Sequence, residues 1–136
     1  MSVRRDDILA FVREQKLGVV STVNADGAPQ SAVVGYAVTD AFELVFDTLR
    51  DTRKAVNLLA RPHVSFVLWS GERTVQIDGL ADELHGTELD ELRAVYFSVW
   101  PDGRERIAWA GITWVRITPK WIRYSDFGAG PLVVTL

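Results

Sequence analysis

Four stretches rich in β-branched and aromatic residues follow one another between Leu17 and Trp69, separated by turn signals and one short helical pattern. That order excludes a doubly wound parallel sheet, which needs a helix between successive strands. Leu17 to Val23 is the first stretch. Asn24-Ala25-Asp26-Gly27 follows as a hairpin turn, because Asp-Gly tolerates the positive φ angles of tight turns, and Pro29 opens a second strand running to about Val38. Thr39 to Ala41 turns the chain again, and Glu43 to Thr48 is a third strand. His63 to Trp69 is the fourth, released by Pro62, which stops the helix before it. Arg73 to about Leu84 alternates throughout, with Val75, Ile77, Gly79 and Ala81 on one side and Thr74, Gln76, Asp78 and Leu80 on the other. Gly79 marks a bulge or bend. Ile112 to Thr118 and Trp121 to Ser125 close the set as one or two strands around a Pro119-Lys120 break.

Two amphipathic helices accompany these strands. Val3 to Gln15 turns Ile8, Leu9 and Phe11 or Val12 inward, and Thr87 to Val99 places Leu89, Leu92, Val95 and Tyr96 or Val99 on one stripe before Trp100-Pro101-Asp102-Gly103 ends it. The expectation is a mainly β chain with a few helices, its six or so antiparallel strands forming a small barrel. A chain of 136 residues, 48% of them hydrophobic, is one domain (1–136) able to bury a core without staples. The absence of cysteine excludes a disulfide framework and a thiolate nucleophile, and fits a reducing cytoplasm. A net charge of -3 argues against general nucleic-acid binding, which needs a basic face. Neither a charged-then-apolar leader nor a long apolar run is present, so no signal peptide and no membrane span are expected. Two histidines, His63 and His85, are too few for a three-histidine zinc site, and no metal site is expected.

The segment from Phe46 to Pro62 holds the chemistry. It reads as a strand that turns into a short helix whose first turn carries Arg53 and Lys54. A helix start is already partially positive through its free amides, so each cation there costs a few tenths to about 1 kcal/mol unless an anion sits among them. Good helix propensity and a solvated first turn would also accommodate these residues. Three neighbours favour the anion: Thr52 or Asp51 can cap the helix, and Thr48 ends the strand with a hydroxyl on the same small volume. Val56, Leu59 and Ala60 are expected as the buried stripe, leaving Lys54, Asn57 and Arg61 on the opposite face. No Gly-x-Gly-x-x-Gly run follows a strand, so a phosphate site must be built from the strand end and helix start.

The succession of Asp-Gly turn, Pro-led strand, Phe46-Asp47-Thr48 strand, Thr52-Arg53-Lys54 helix start and Arg61-Pro62 resembles the pyridoxamine 5′-phosphate oxidase-like family of FMN-binding split barrels. The likeness runs from about Asp6 to Phe127, and includes Tyr96-Phe97-Ser98-Val99-Trp100-Pro101 and Ile122-Arg123-Tyr124-Ser125-Asp126-Phe127. It implies a six-stranded Greek-key split barrel that dimerises with itself and binds FMN at the subunit interface. On matching positions, Arg53 and Lys54 would hold the flavin phosphate, Thr48 and Thr52 would donate hydroxyls, and Asp47 would lie beside the ribityl chain. The strand Ser31, Ala32, Val33, Val34 would run along the flavin through its backbone. Thr74 stands where the family often has Gln, with Gln76 as its neighbour. Enzymes that oxidise pyridoxamine phosphate carry an Arg and a Lys where this chain has Ala32 and Ala37. They also end in Phe-Trp-Gln and a later Arg, against Tyr124-Ser125-Asp126 and the uncharged Gly128 to Leu136 tail here. Flavin binding survives that comparison and vitamin-B6 oxidation does not.

Because the isoalloxazine carries hydride or electron chemistry itself, the lack of a catalytic triad is uninformative. Trp69, Trp100, Trp109, Trp114 and Trp121 could each stack on a flavin, although large aromatics mostly serve cores and interfaces. Trp109, in the loop Gly103 to Gly111, is the least explained by alternation and is the candidate to reach a partner chain's flavin. The acidic stretch Asp82 to Glu91 reads as a solvated helix start, and Asp40 and Asp102 as turn residues. Three functions remain: an FMN-dependent oxidoreductase with an unknown small acceptor, a flavin carrier or sensor without turnover, and a reductase using the deazaflavin coenzyme.

Overall fold

Alternation along each stretch gives strands that bury one face, and the computed structural model, which describes residues 3–136, joins eight of them into one antiparallel sheet. The chain order is α1 (Arg5–Glu14), β1 (Leu17–Val23), β2 (Pro29–Gly35), β3 (Ala37–Val38), β4 (Leu44–Leu49) and α2 (Arg53–Ala60). Then come β5 (His63–Ser70), β6 (Arg73–Glu83), α3 (Gly86–Val99), a 3₁₀ helix (Pro101–Ala108), β7 (Ile112–Asp126) and β8 (Leu132–Thr135). The strands run β2-β1-β5-β6-β7-β4-β3, with β8 added to β7.

The two ends of that path, β2 and β3, are separated in sequence only by Tyr36, so the sheet must curl back on itself there. Closure is incomplete. β3 pairs with β4 through Ala37↔Val45 and Val38↔Leu44, while β2 pairs only with β1. Among the described residues no ladder joins the free edge of β2 to the last half of β4, so the barrel wall is split there by a slot.

The strand count exceeds the six expected. Tyr36 is buried at 1% exposure and its hydroxyl donates to the Val12 carbonyl oxygen at 2.7 Å; it turns inward and divides the second strand in two. The tail adds β8, whose Leu132 to Thr135 pair with Asp126 to Arg123. At Pro119-Lys120 the strand does not break. Asp78 pairs with Trp121 and Gly79 with Pro119, so the bulge expected at Gly79 is present and its extra residue is Lys120 on β7.

The interior holds Val20, Leu44, Phe46, Phe66, Leu68, Val75, Ile77, Val115 and Ile117, with α1 adding Ile8, Leu9, Phe11 and Val12 as expected. On α3, Leu92, Tyr96 and Phe97 are buried, and the Phe97 ring meets Trp114 edge-on at 6.1 Å. The acidic stretch is not simply a solvated helix start. Asp82 and Glu83 belong to β6, and Arg116 gathers Asp82, Glu88 and Glu43 while Arg50 pairs with Glu83.

The expected stripe of α2 is overturned. Ala55, Asn57 and Leu58 are buried, whereas Val56 is 54% and Leu59 43% exposed. Successive helical positions lie about 100° apart, so hydrogen bonds at one polar position can choose the rotation. The Asn57 amide donates to Thr22 Oγ1 at 3.0 Å and Gln30 Oε1 at 2.9 Å, and Arg61 Nε donates to the Val23 carbonyl at 2.7 Å. Those bonds turn Asn57 toward β1 and β2 instead of solvent.

Candidate functional site

The turn from β4 into α2 is held by two hydroxyls. Thr52 is the N-cap, accepting from the Ala55 amide at 3.3 Å and donating to the Leu49 carbonyl at 2.8 Å. Thr48 Oγ1 lies 2.8 Å from Thr52 Oγ1, and the Thr48 residue is buried. The pair fixes where the helix starts, and Arg53 and Lys54 project from it at the lower end of the slot. A cavity of about 130 Å³ lies there, lined by Thr22, Gln30, Ser31, Ala32, Arg53 and Lys54. Four of the expected residues thus meet around one volume: Ser31 and Ala32 from β2, Arg53 and Lys54 from α2.

Thr22 and Gln30 were not foreseen. Their signal was in the alternation of β1 with Val20, which turns Thr22 inward, and in the polar Asn57 of a short helix. Burial lowers the pKa of Lys54, and the Asp47 carboxylate opposes that shift. The site is therefore an exposed Arg53 beside a partly buried Lys54 at the start of an eight-residue helix, which suits an anion.

Asp47 does not line that cavity. It accepts from Arg106 Nε at 2.6 Å and from the Tyr96 hydroxyl at 3.4 Å, and Arg106 also donates to Asp102 at 3.2 Å and to the Tyr96 oxygen at 3.2 Å. Burial, reinforced by the Asp47 charge, pushes the Tyr96 hydroxyl up to about 12. Burial works against the Arg106 charge, but its bonds to Asp47 and Asp102 outweigh that and hold the guanidinium firmly protonated. The sequence offered no sign of Arg106, since 59 residues separate it from Asp47.

Along β2, Val33 is 65% exposed and Val34 buried, as strand alternation requires. At its upper end Gly35 has no side chain because a Cβ there would lie 2.7 Å from the Trp100 ring. Trp100 Nε1 donates to the Tyr36 carbonyl at 3.0 Å and ties the end of α3 to the junction of β2 and β3. Thr74 lies elsewhere, on β6 opposite Trp69 and Ser125, and Gln76 faces outward opposite Val67. Trp109 is 53% exposed at the end of the 3₁₀ helix, which replaces the expected loop. Neither Thr74 nor Trp109 lines the cavity. Of the other tryptophans, Trp114 is core, Trp100 is part-buried and Trp69 is exposed.

The sequence pattern of the family described as pyridoxamine 5′-phosphate oxidase matches residues 5–126. The chain belongs to that family. A pyridoxine/pyridoxamine 5′-phosphate oxidase of Streptomyces avermitilis is 42% identical over 101 residues, which are 73% of this chain and 43% of the relative. The chain thus spans less than half the length of that relative. Among solved structures, a haem-binding protein from Mycobacterium smegmatis superposes with a TM-score of 0.78 at 19% identity, over 90% of this chain and 52% of that one. A pyridoxamine 5′-phosphate oxidase-related, FMN-binding protein from Nostoc punctiforme gives 0.73 at 13% identity, over 99% and 90%. At those identities the likeness establishes the split-barrel fold alone. Among the described residues no helix is long and apolar enough to cross a membrane.

Proposed function

We propose that this chain is an FMN-binding flavoprotein that passes hydride or electrons to a small-molecule acceptor, working as a homodimer with the flavin at the subunit interface. The observation that carries the reading is the cavity where Arg53 and Lys54 meet Ser31 and Ala32 at the start of α2. Family membership and the FMN-binding description of the Nostoc neighbour support it.

The donor set suits a phosphate monoester. Two cations and the free amides of α2 supply charge and donors, while Gln30 and Ser31 add polar groups at the rim. Above that end, the edge of β2 from Ser31 to Val34 offers backbone groups that β1 leaves unpaired, and Asp47 on β4 is the residue read as lying beside the ribityl chain. The flavin, when bound, supplies the redox chemistry, and the chain's own residues anchor and orient it. On this reading Trp109, exposed at the end of the 3₁₀ helix, reaches the partner's flavin, and Thr74 stands at the position where the family often has Gln.

The acceptor is not pyridoxamine phosphate on this reading. Ala32 lines the cavity without a charge, and Ala37 is 2% exposed, so neither position supplies a cation for a second phosphate. Titration of the purified protein with FMN tests the proposal: a stoichiometric complex that a reductant bleaches and an acceptor restores supports it, and failure to bind FMN overturns it. Tight binding without acceptor-dependent turnover would make the protein a carrier, and preference for the deazaflavin coenzyme in competition would replace the cofactor.

A further inference from the structure

Asn57, buried at 4% exposure in α2, spends both hydrogens of its amide on the sheet: Nδ2 donates to Thr22 Oγ1 on β1 at 3.0 Å and to Gln30 Oε1 on β2 at 2.9 Å. Each receiving residue is left with a donor to place. With Oε1 of Gln30 taken, its amide nitrogen faces the other way, and a Thr22 oxygen that accepts from Asn57 still carries its own hydrogen. Thr22 is 1% exposed, and among the described residues neither that hydrogen nor the Gln30 nitrogen has a protein acceptor. Leaving a buried donor unpaired is costly. Both residues line the cavity of about 130 Å³ together with Ser31, Ala32, Arg53 and Lys54, so a ligand there is what supplies the acceptor.

We propose that Asn57 is a positioning residue that turns Thr22 and Gln30 into hydrogen-bond donors to this cavity, which with Arg53 and Lys54 makes it a cradle for a phosphate monoester in its dianionic form. This rests on the reading of the cavity as a flavin-phosphate site, and adds Thr22 and Gln30 to the groups that hold the phosphate. Charge points the same way. Arg53 and Lys54, from α2, are the charged side chains of the lining, and β1 and β2 bring no titratable group to it. The Ser31 hydroxyl is shared with Ser21 at 2.8 Å, and the open groups of Thr22, Gln30, Arg53 and Lys54 are N–H and O–H donors. A dianion accepts from all of them, whereas a monoester that keeps a proton brings a donor of its own to a donor-lined wall.

Titration of the full chain with FMN, and with riboflavin, which lacks the phosphate, tests this across pH. The second ionisation of a phosphate monoester lies near pH 6, so parent affinity for FMN should fall about tenfold from about pH 7 to about pH 5, and riboflavin affinity should not follow it. Gln30→Glu keeps an oxygen for Asn57 and sets an acceptor where the donor was. It should bind FMN about a hundredfold more weakly than the parent at about pH 8, and regain most of that loss toward about pH 5, where phosphate and carboxylate can share a proton. Thr22→Val should weaken FMN about tenfold, and Thr22→Ser, which restores the hydroxyl, should recover most of the loss. Asn57→Asp, which can only accept, should draw both hydrogens to itself and weaken FMN at least about tenfold with riboflavin unmoved. A Gln30→Glu profile parallel to the parent's, or a Thr22→Val variant that keeps its FMN affinity or loses riboflavin equally, would overturn the proposal and leave Asn57 a tie between α2 and the sheet. Those two variants decide the matter even if Asn57→Asp does not fold. A second readout needs no flavin: sulfate, a dianion that carries no proton, should raise the thermal midpoint of the parent more than that of Gln30→Glu, and equal shifts would overturn the proposal. If the parent fails to bind FMN, the flavin reading falls, and the sulfate shifts still decide whether Thr22 and Gln30 face the cavity as donors.

Discussion

At the scale of single residues, Arg53 and Lys54 begin α2 and line one cavity with Ser31 and Ala32. Arg53 and Lys54 were legible because two cations in a first helical turn oppose the helix dipole, a cost visible from neighbours in sequence. Replacing both with Ala should weaken FMN binding at least about a hundredfold while the fold persists, since charge-assisted phosphate contacts contribute about 1.5 to 3 kcal/mol each. Isothermal titration beside a thermal melt checks both halves. Tyr36 and Tyr96 carry a second expectation. Burial raises both hydroxyls above 10, so the fold accommodates only their neutral forms. Their contribution to stability is complete below about pH 10 and is lost as pH rises, through about 12 for Tyr96. Denaturation midpoints measured from about pH 9 upward should fall with the appearance of tyrosinate absorbance, and Tyr96→Phe should flatten part of that fall.

Elements were legible as types before their faces were. The helices and most strands followed from periodicity, yet α2 turns Asn57 and Leu58 inward and leaves Val56 and Leu59 exposed. Eight residues are too few for an apolar stripe to outvote two amide hydrogen bonds and a guanidinium on the Val23 carbonyl. The consequence is measurable in urea. Leu58→Ala should cost about 2 to 5 kcal/mol, while Leu59→Ala in the isolated subunit should stay within about 0.5. Asn57→Ala, which strands the buried Thr22 hydroxyl oxygen and the part-buried Gln30 carbonyl, should cost about 1 to 3 kcal/mol and loosen α2 from β2. The second strand failed differently: Val34 and Ala37 look equally strand-like, and only the burial of Tyr36 divides them.

For the molecule as a whole, the sheet face that α2 and α3 do not cover carries Leu17, Val33 and Trp69, all more than half exposed. Val19 and Val67 lie beside them, since Val19 pairs with both Val33 and Val67. An apolar face of this kind suits the proposed homodimer. Sedimentation should find a dimer, and Val33→Asp should shift it toward monomer. If Trp109 completes the partner's flavin site, that variant should lose FMN affinity in step with dissociation, measured by binding at several protein concentrations.

What the sequence determined by itself was local: strand and helix types, the Asp-Gly turn, the bulge near Gly79, and the cation pair at the start of α2, each set by neighbours within a few residues. Tertiary structure decided whatever depends on distant segments. It placed Ser31 and Ala32 beside Arg53 and Lys54, tied Asn57 to Thr22 and Gln30, and brought Arg106 to Asp47. The physical reason is the curl at Tyr36, which brings the first and last strands of the sheet path together and leaves the slot open below them. No periodicity along the chain encodes that meeting.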